Sequence, residues 1–478
     1  MTKRNSGVLL HISSLPGDYS IGSFGKEARA FVDILAEAGF SIWQVLPLCM
    51  TDECNSPYKS PASLGGNPNF IDLEELYFEG LLTAAELEGA KQEISYAAEF
   101  DRLALERIPL LKLAASRVLD RTAIIEFADS HPELSEVAYF LALRDANGGA
   151  PWQTWKTDRC DIDELFAWQF IEYKFYTQWK SLKEYANSRG ISIIGDLPIY
   201  VALNSADVWG DPLSFKLDEN GYPTEVAGVP PDYFSPEGQL WGNPLYDWRR
   251  MKGDGYRFWQ RRLSLAADMY DGVRIDHFRA IEAYWSIAVD AESAKEGRWV
   301  KGPGRSFIRH IKSVLGDKLV IAEDLGDITD KVRELLDYSG FPGMRVLEFA
   351  FLGDPHSTHL PHNVTEQTIV YSSTHDNNTL LGYIWELDPA LRARLFEYIG
   401  LSASAEWESA VERIIKVLMQ TRARCVILPM QDLLGFGADT RMNTPGVAEG
   451  NWSYRLTPVA MAAFDVEKYK KLNELYER

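Results

Sequence analysis

Eight short runs of β-branched and other apolar residues punctuate the chain, and each ends in small, polar or turn-forming residues. They are GVLLHISSLPG from Gly7, SIWQVLPL from Ser41, ISIIGDLPIYV from Ile191, GVRIDHFR from Gly272, LVIAEDLG from Leu319, MRVLEFAF from Met344, TIVYSSTHDNN from Thr368 and CVILPMQDLLG from Cys425. Most are continuous rather than alternating, as befits a parallel strand covered on both faces. Helical spacing fills the intervals. FGKEARAFVDILAEAG follows the first run and stops at Gly39; further helical patterns span 161–189, 255–269, 304–315, 329–338 and 388–420, and a last one follows Thr457. Eight strands alternating with helices predict an α/β chain closed into a (β/α)8 TIM barrel. The competing open, doubly wound sheet usually carries a glycine-rich nucleotide turn after its first strand, and SSLPGDYSIGSFG fits that poorly.

Two stretches are too long to be plain connections. Residues 51–160 separate the second and third runs. They begin with the Pro/Gly/Ser/Asn-rich loop SPYKSPASLGGNPNF and continue as amphipathic helices, one opened by a capping-box pattern at Thr83 and Glu86. Residues 200–248 are dense in Pro, Gly and aromatics. The expectation is one catalytic domain over 1–478, with a mainly helical subdomain inserted after the second strand and a loop-rich one after the third. Both would emerge at the C-terminal face, where barrel active sites lie.

The chain has 49 basic against 69 acidic side chains, a formal charge of −20 over 478 residues. Such a balance argues against nucleic acid or anionic lipid as partner and leaves neutral substrates open. Aromatics make up 12 % of the chain, enough to supply flat platforms for an amphipathic ligand such as a sugar ring as well as a core. The four cysteines lack histidines at metal-ligand spacing, so no metal site is expected. Few thiols, no apolar leader and no run of membrane-spanning length predict a cytoplasmic protein.

GVRIDHFR carries the chemistry. Period-two alternation puts Val273 and Ile275 on one face, toward the helices, and Arg274 and Asp276 on the other, toward the barrel axis. In LVIAEDLG the same logic sends Ile321 and Glu323 inward and Ala322 and Asp324 outward. Neighbouring strands lie ~4.8 Å apart. Carboxyls at their ends can therefore sit at the roughly 5–5.5 Å separation of retaining glycosidases. Asp376, in STHDNN beside His375, is a third carboxylate at a strand end. Glycosidic bond cleavage needs an ionised nucleophile and a protonated acid. Arg274 supplies compensating charge beside Asp276, and nearby negative charge raises the proton affinity of Glu323. Asp376 would favour a cationic transition state. Each feature has a plainer reading: a buried ion pair, a helix N-cap pair, a polar turn.

GVRIDHFR, IAEDLG and STHDNNT, in this order, resemble the characteristic segments of the α-amylase superfamily. Within it the closest fit is the 4-α-glucanotransferases, called amylomaltases or disproportionating enzymes, of glycoside hydrolase family 77. The resemblance spans nearly the whole chain and includes SPYKSPASLGGNPNFIDL, IIGDLPIYV, GVPPDYFSPEGQLWGNPLYDW, FRAIEAYW and GRWVKGPG. It implies Asp276 as nucleophile, Glu323 as general acid/base and Asp376 as transition-state stabiliser. It implies that Arg274, His375 and Asp196 hold the sugar at the cleavage point and that Tyr58 stacks on it. Residues 232–235 match a loop arching over the entrance, where Tyr233, Phe234, Trp241 and Asn243 would meet the glucan. Asn443, in RMNTPG, stands outside this set. The implied reaction transfers an α-1,4-glucan segment to another glucan or to glucose by a retaining double displacement. It uses maltooligosaccharides, amylose, glycogen or starch, with no cofactor and no metal, in a monomer or homodimer that engages neither nucleic acid nor membrane.

Three other classes compete. An α-amylase-like hydrolase shares the covalent intermediate and differs in what resolves it. A non-catalytic sugar-binding protein has no use for three such carboxylates. An aldolase-like or phosphate-binding barrel needs a Schiff-base lysine or a glycine-rich phosphate site, and neither stands out.

Overall fold

The structure, a computed structural model, describes residues 4–231, 236–352 and 354–478. Among these the chain forms twelve strands: β1 (Asn5–Leu9), β2 (Ile42–Gln44), β3 (Ser192–Leu197), β4 (Glu225–Val229), β5 (Gln239–Pro244), β6 (Gly272–Ile275), β7 (Ala283–Ala288), β8 (Arg298–Lys301), β9 (Leu319–Ala322), β10 (Gly343–Val346), β11 (Thr368–Tyr371) and β12 (Cys425–Pro429). Eight of them, β1, β2, β3, β6, β9, β10, β11 and β12, close into a barrel in chain order, each parallel to its neighbours. All eight fall on the runs predicted from sequence, with β1 beginning two residues and β10 one residue ahead of its run.

Strand alternation sorts the barrel's side chains into two layers. Leu9, Ile42, Ile194, Ile321, Ile369, Tyr371, Cys425 and Ile427 pack together inside it. Val8, Trp43, Ile193, Val273, Ile275, Val320, Ala322, Val370 and Val426 join the larger core between strands and helices. A strand buried on both faces has no polar side to show, so these runs read as continuously apolar. Polar side chains enter the barrel interior near the C-terminal ends. There the Tyr371 hydroxyl donates to Gln44 Oε1 at 2.8 Å, and Arg274 meets Asp196. Gly195, just before Asp196, points outward against the Tyr270 ring, where a Cβ would fall 2.4 Å from ring carbons.

The helices match the sequence pattern closely, with or without a side-chain cap. Ile162–Ser188 is capped by Asp161, whose side chain accepts from the Asp163 N–H, and Ala84–Gly89 opens with the capping box of Thr83 and Glu86. The stretch 388–420 is a correction. It forms two helices, Pro389–Tyr398 and Trp407–Gln420, because Gly400 turns left-handed at φ +74° and ends the first. No helix among the described residues is long and apolar enough to cross a membrane.

The long connection after β2 holds the short helix Leu73–Phe78, then Ala84–Gly89, Phe100–Ser116, Thr122–Ser130 and Pro132–Ala146. The last three lean on Ile162–Ser188, which also packs against the barrel helix Lys26–Glu37, and the first two pack on each other. The second connection is not loop alone: its β4 and β5 pair antiparallel with each other, and β4 pairs with β7, which pairs with β8. The resulting sheet, in order β5-β4-β7-β8, joins the segment after β3 to the segment after β6.

The loop after β2 is pinned by close packing and one buried carboxyl. A Cβ on Gly66 would fall 2.1 Å from the Phe175 ring. The Gly66 N–H donates at 3.0 Å to Glu172, whose other oxygen has no hydrogen-bond partner. Glu172 is 2 % exposed, and burial lifts its proton affinity from 4.5 to about 8. Between those values the folded chain holds a proton that the unfolded chain has lost, so stability falls as pH rises from about 4.5 toward 8. Glu172→Gln removes that penalty. Its thermal midpoint should exceed that of the parent by roughly 1–3 °C at pH 8.5 and match it near pH 5, as read by paired melts at the two pH values.

Candidate active site

The site begins with backbone geometry. The parallel ladder runs past the ends of β6 and β9: the Asp276 N–H donates to Leu197 O, and the Glu323 N–H donates to Ile275 O, both at 3.1 Å. Asp276 and Glu323 thus stand on backbone as firmly held as the strands. The next residue, His277, turns left-handed at φ +48° and ends β6. Its N–H donates to Glu323 Oε2 at 2.7 Å, and the Leu325 N–H donates to Glu323 Oε1 at 2.9 Å.

Register then brings Arg274 into place. It lies directly opposite Asp196 on β3. One guanidinium nitrogen donates to both Asp196 oxygens at 2.8 and 2.7 Å and stands 3.0 Å from Asp276 Oδ1. The Tyr58 hydroxyl donates to Asp196 Oδ2 at 2.8 Å, and its ring stacks on His375 at 5.2 Å and 12°. His375 Nε2 lies 3.2 Å from Asp376 Oδ2. Asn443 donates to Asp376 Oδ1 at 2.6 Å, while Arg441 donates to the carbonyl oxygens of Asp376 and Asn443.

Tyr58, Trp241, Asn243, Arg274, Asp276, Glu323, His375 and Asp376 all line one cleft of about 1080 Å³. Asp276 exposes 27 % of its side chain there, and Asp376 exposes 45 %. Trp241 sets its ring edge-on to His277 at 5.0 Å, and the Asn243 amide donates to Val201 O at 2.9 Å. Asp324 faces outward, as strand alternation requires, and pairs with Arg345 at 2.8 Å.

Asp196 stands apart from the other candidates: its side chain is 0 % exposed beneath Arg274 and Tyr58, and it does not line the cleft. His375 covers one face of the Tyr58 ring. Tyr233 and Phe234, with the rest of 232–235, lie outside the described residues. Asn443, in RMNTPG, joins the site through Asp376, which its sequence position alone does not signal. Sequence reasoning missed Trp452, whose ring closes on Tyr58 and His375 at 5.9 Å from each, and Glu348, a buried carboxyl at the cleft wall. No periodic pattern marks either position.

The carboxyls differ in proton affinity, and the causes are visible. Burial raises Glu323 to about 7; Asp276 adds to the rise, against Arg274 and the N–H groups of Leu325 and His277. For Asp376 desolvation is the largest single influence and pushes upward. His375, Asn443 and Arg274 outweigh it and hold that carboxyl well below the usual range. In return Asp376 raises His375 against the effect of its burial. The cleft therefore offers one carboxyl able to carry a proton near neutrality and another held as an anion, the division of labour that acid-assisted glycoside chemistry requires. Among the described residues no group of three His, Cys, Asp or Glu side chains is arranged to hold a metal ion.

Comparison with known proteins agrees with this geometry. The family model of glycoside hydrolase family 77, described as 4-alpha-glucanotransferase, matches residues 10–461. A 4-alpha-glucanotransferase of Streptococcus pneumoniae is 41 % identical over 502 aligned residues, covering 100 % of this chain and 98 % of that protein. One from Aquifex aeolicus is 42 % identical over 475, covering 95 % of each. The solved structure of an amylomaltase from Streptococcus agalactiae in complex with acarbose superposes with a TM-score of 0.95 at 37 % identity, covering 100 % of both chains. On its barrel, its strand-end carboxylates and this likeness along its whole length, the chain belongs to glycoside hydrolase family 77, the family of the 4-alpha-glucanotransferases.

Proposed function

We propose that this protein is a 4-α-glucanotransferase that moves an α-1,4-glucan segment from a donor chain to an acceptor glucan or to glucose by a retaining double displacement. The observation that carries this reading is the meeting of Asp276, Glu323 and Asp376 in one cleft, where burial raises the proton affinity of Glu323 and the partners of Asp376 hold that carboxyl low. Asp276 attacks the anomeric carbon. The bond to the leaving oxygen breaks as Glu323 gives that oxygen its proton, and a glycosyl ester forms on Asp276. The Glu323 carboxylate then takes the proton of an acceptor hydroxyl as that oxygen attacks the same carbon, which frees Asp276 and restores the original configuration. Asp376 faces the positive charge that builds on the sugar in both steps. Arg274 fixes Asp276 for attack along the direction set by Asp196.

The substrates are neutral α-1,4-glucans and glucose, which a chain of charge −20 does not repel as it would a polyanion. Residues 51–160 and 200–248 act as subdomains that wall the cleft of one catalytic domain. The enzyme is cytoplasmic, needs no cofactor or metal, engages neither nucleic acid nor membrane, and works as a monomer or homodimer.

Maltotriose separates transfer from hydrolysis. Longer oligosaccharides together with glucose are expected by chromatography; a steady rise in reducing ends without longer products would assign the chain to the α-amylase-like hydrolases. Asp276→Asn should lower turnover by at least about 10⁴-fold while maltooligosaccharide binding, followed by calorimetry, stays within a few-fold of the parent. Undiminished turnover in that variant would refute the nucleophile. Glu323 must enter the first step protonated. With its proton affinity raised to about 7, kcat/KM should fall above pH 7 with a slope of one proton. In Glu323→Gln the residual rate should lose that alkaline limb.

A further inference from the structure

The rim of the cleft continues beyond the reacting carboxylates along the helix Leu380–Glu386. This helix begins four residues after Asp376, and its last residue, Glu386, lines the cleft. Next to Glu386 stands Trp385, 68 % exposed. An indole in water is ordinarily free to turn, but this one is held. Its ring meets Trp407 edge-on at 4.5 Å and 84°. The Arg392 guanidinium lies 5.3 Å over the Trp407 ring and donates at 3.4 Å to the carbonyl oxygens of Ile384 and Trp385.

We propose that Trp385 and Glu386 form an outlying contact for α-1,4-glucan, which engages sugar units of a long chain beyond those at the reacting bond. This rests on the transferase reading above. A pyranose presents a flat apolar C–H face and a rim of hydroxyls, so its partner needs a flat aromatic surface with an acceptor beside it. Trp385 supplies the first and the exposed Glu386 carboxylate the second. Trp385 sits about five residues into its helix, ~8 Å along the axis from the start that follows Asp376. Because the ring is already fixed, binding costs little side-chain entropy, and that raises the affinity available from a single stack. A purely structural tryptophan covering Trp407 would be buried by it, whereas most of this ring covers nothing.

The test is the ratio of kcat/KM for amylose-length glucan to kcat/KM for maltotriose, in the parent and in three variants. Trp385→Leu keeps apolar bulk over Trp407 and removes the flat face; the ratio should drop about tenfold, carried by KM for the long glucan. Trp385→Tyr keeps a flat face and should stay within about twofold. Glu386→Ala, at an exposed helix end, should lower the ratio about threefold without lowering the thermal midpoint. A ratio unchanged in both Trp385→Leu and Glu386→Ala, in an enzyme that converts both substrates, overturns the outlying contact and leaves the transferase reading intact. Failure of the parent to disproportionate maltotriose would instead overturn that reading.

Discussion

Arg274 is the pivot of the site. Its guanidinium sits inside the barrel, nearly cut off from water, between Asp196 on the neighbouring strand and Asp276 at the end of its own. Removing one partner from such a buried arrangement typically costs about 3–5 kcal/mol, because the remaining charge has no water to turn to. Asp196 consequently belongs to the foundation. It holds Arg274 from one side and Tyr58 from the other, and Tyr58 stacks on His375, which pairs with Asp376. One ion pair on adjacent strands is thus linked through contacts to two of the three carboxylates, and the remaining one, Glu323, feels its field.

The division of roles among the carboxyls follows from surroundings and not from residue type. Glu323 receives two backbone N–H groups that favour its anion, yet burial and Asp276 prevail. Asp376 is accessible and faces an imidazole and an amide, so the anion prevails. The same barrel rim can host an acid and an anion a few residues' reach apart because each sits in its own local dielectric and partner set.

Much of this was legible from the sequence. Alternation in GVRIDHFR and LVIAEDLG sent Arg274, Asp276 and Glu323 inward and Asp324 outward, and a two-residue period leaves no other choice once one face must be apolar. What escaped depends on pairing between distant segments. That Asp196 lies across from Arg274 is a matter of register, which no single strand encodes, and the register is what buries it. Asn443 reaches Asp376 across 67 residues of chain, and Trp452 closes on Tyr58 from a segment without regular spacing. The break at Gly400 was hidden because apolar spacing resumes in the next helix, so periodicity alone runs through it. The sheet β5-β4-β7-β8 was missed for the same reason: each strand is short, and its partners come from two different crossovers.

That small sheet constrains how the enzyme can be rebuilt. Trp241 and Asn243 ride on β5, yet β5 hangs from β4, and β4 from β7, which leaves the barrel only a few residues after Asp276. The two crossovers are therefore a single mechanical part. A chimera that exchanges one of them with a relative's segment would leave an open sheet edge beside Asp276, whereas exchange of both together keeps every backbone partner in place. Recombination, natural or engineered, is expected to treat the third and fourth crossovers as one inheritable block.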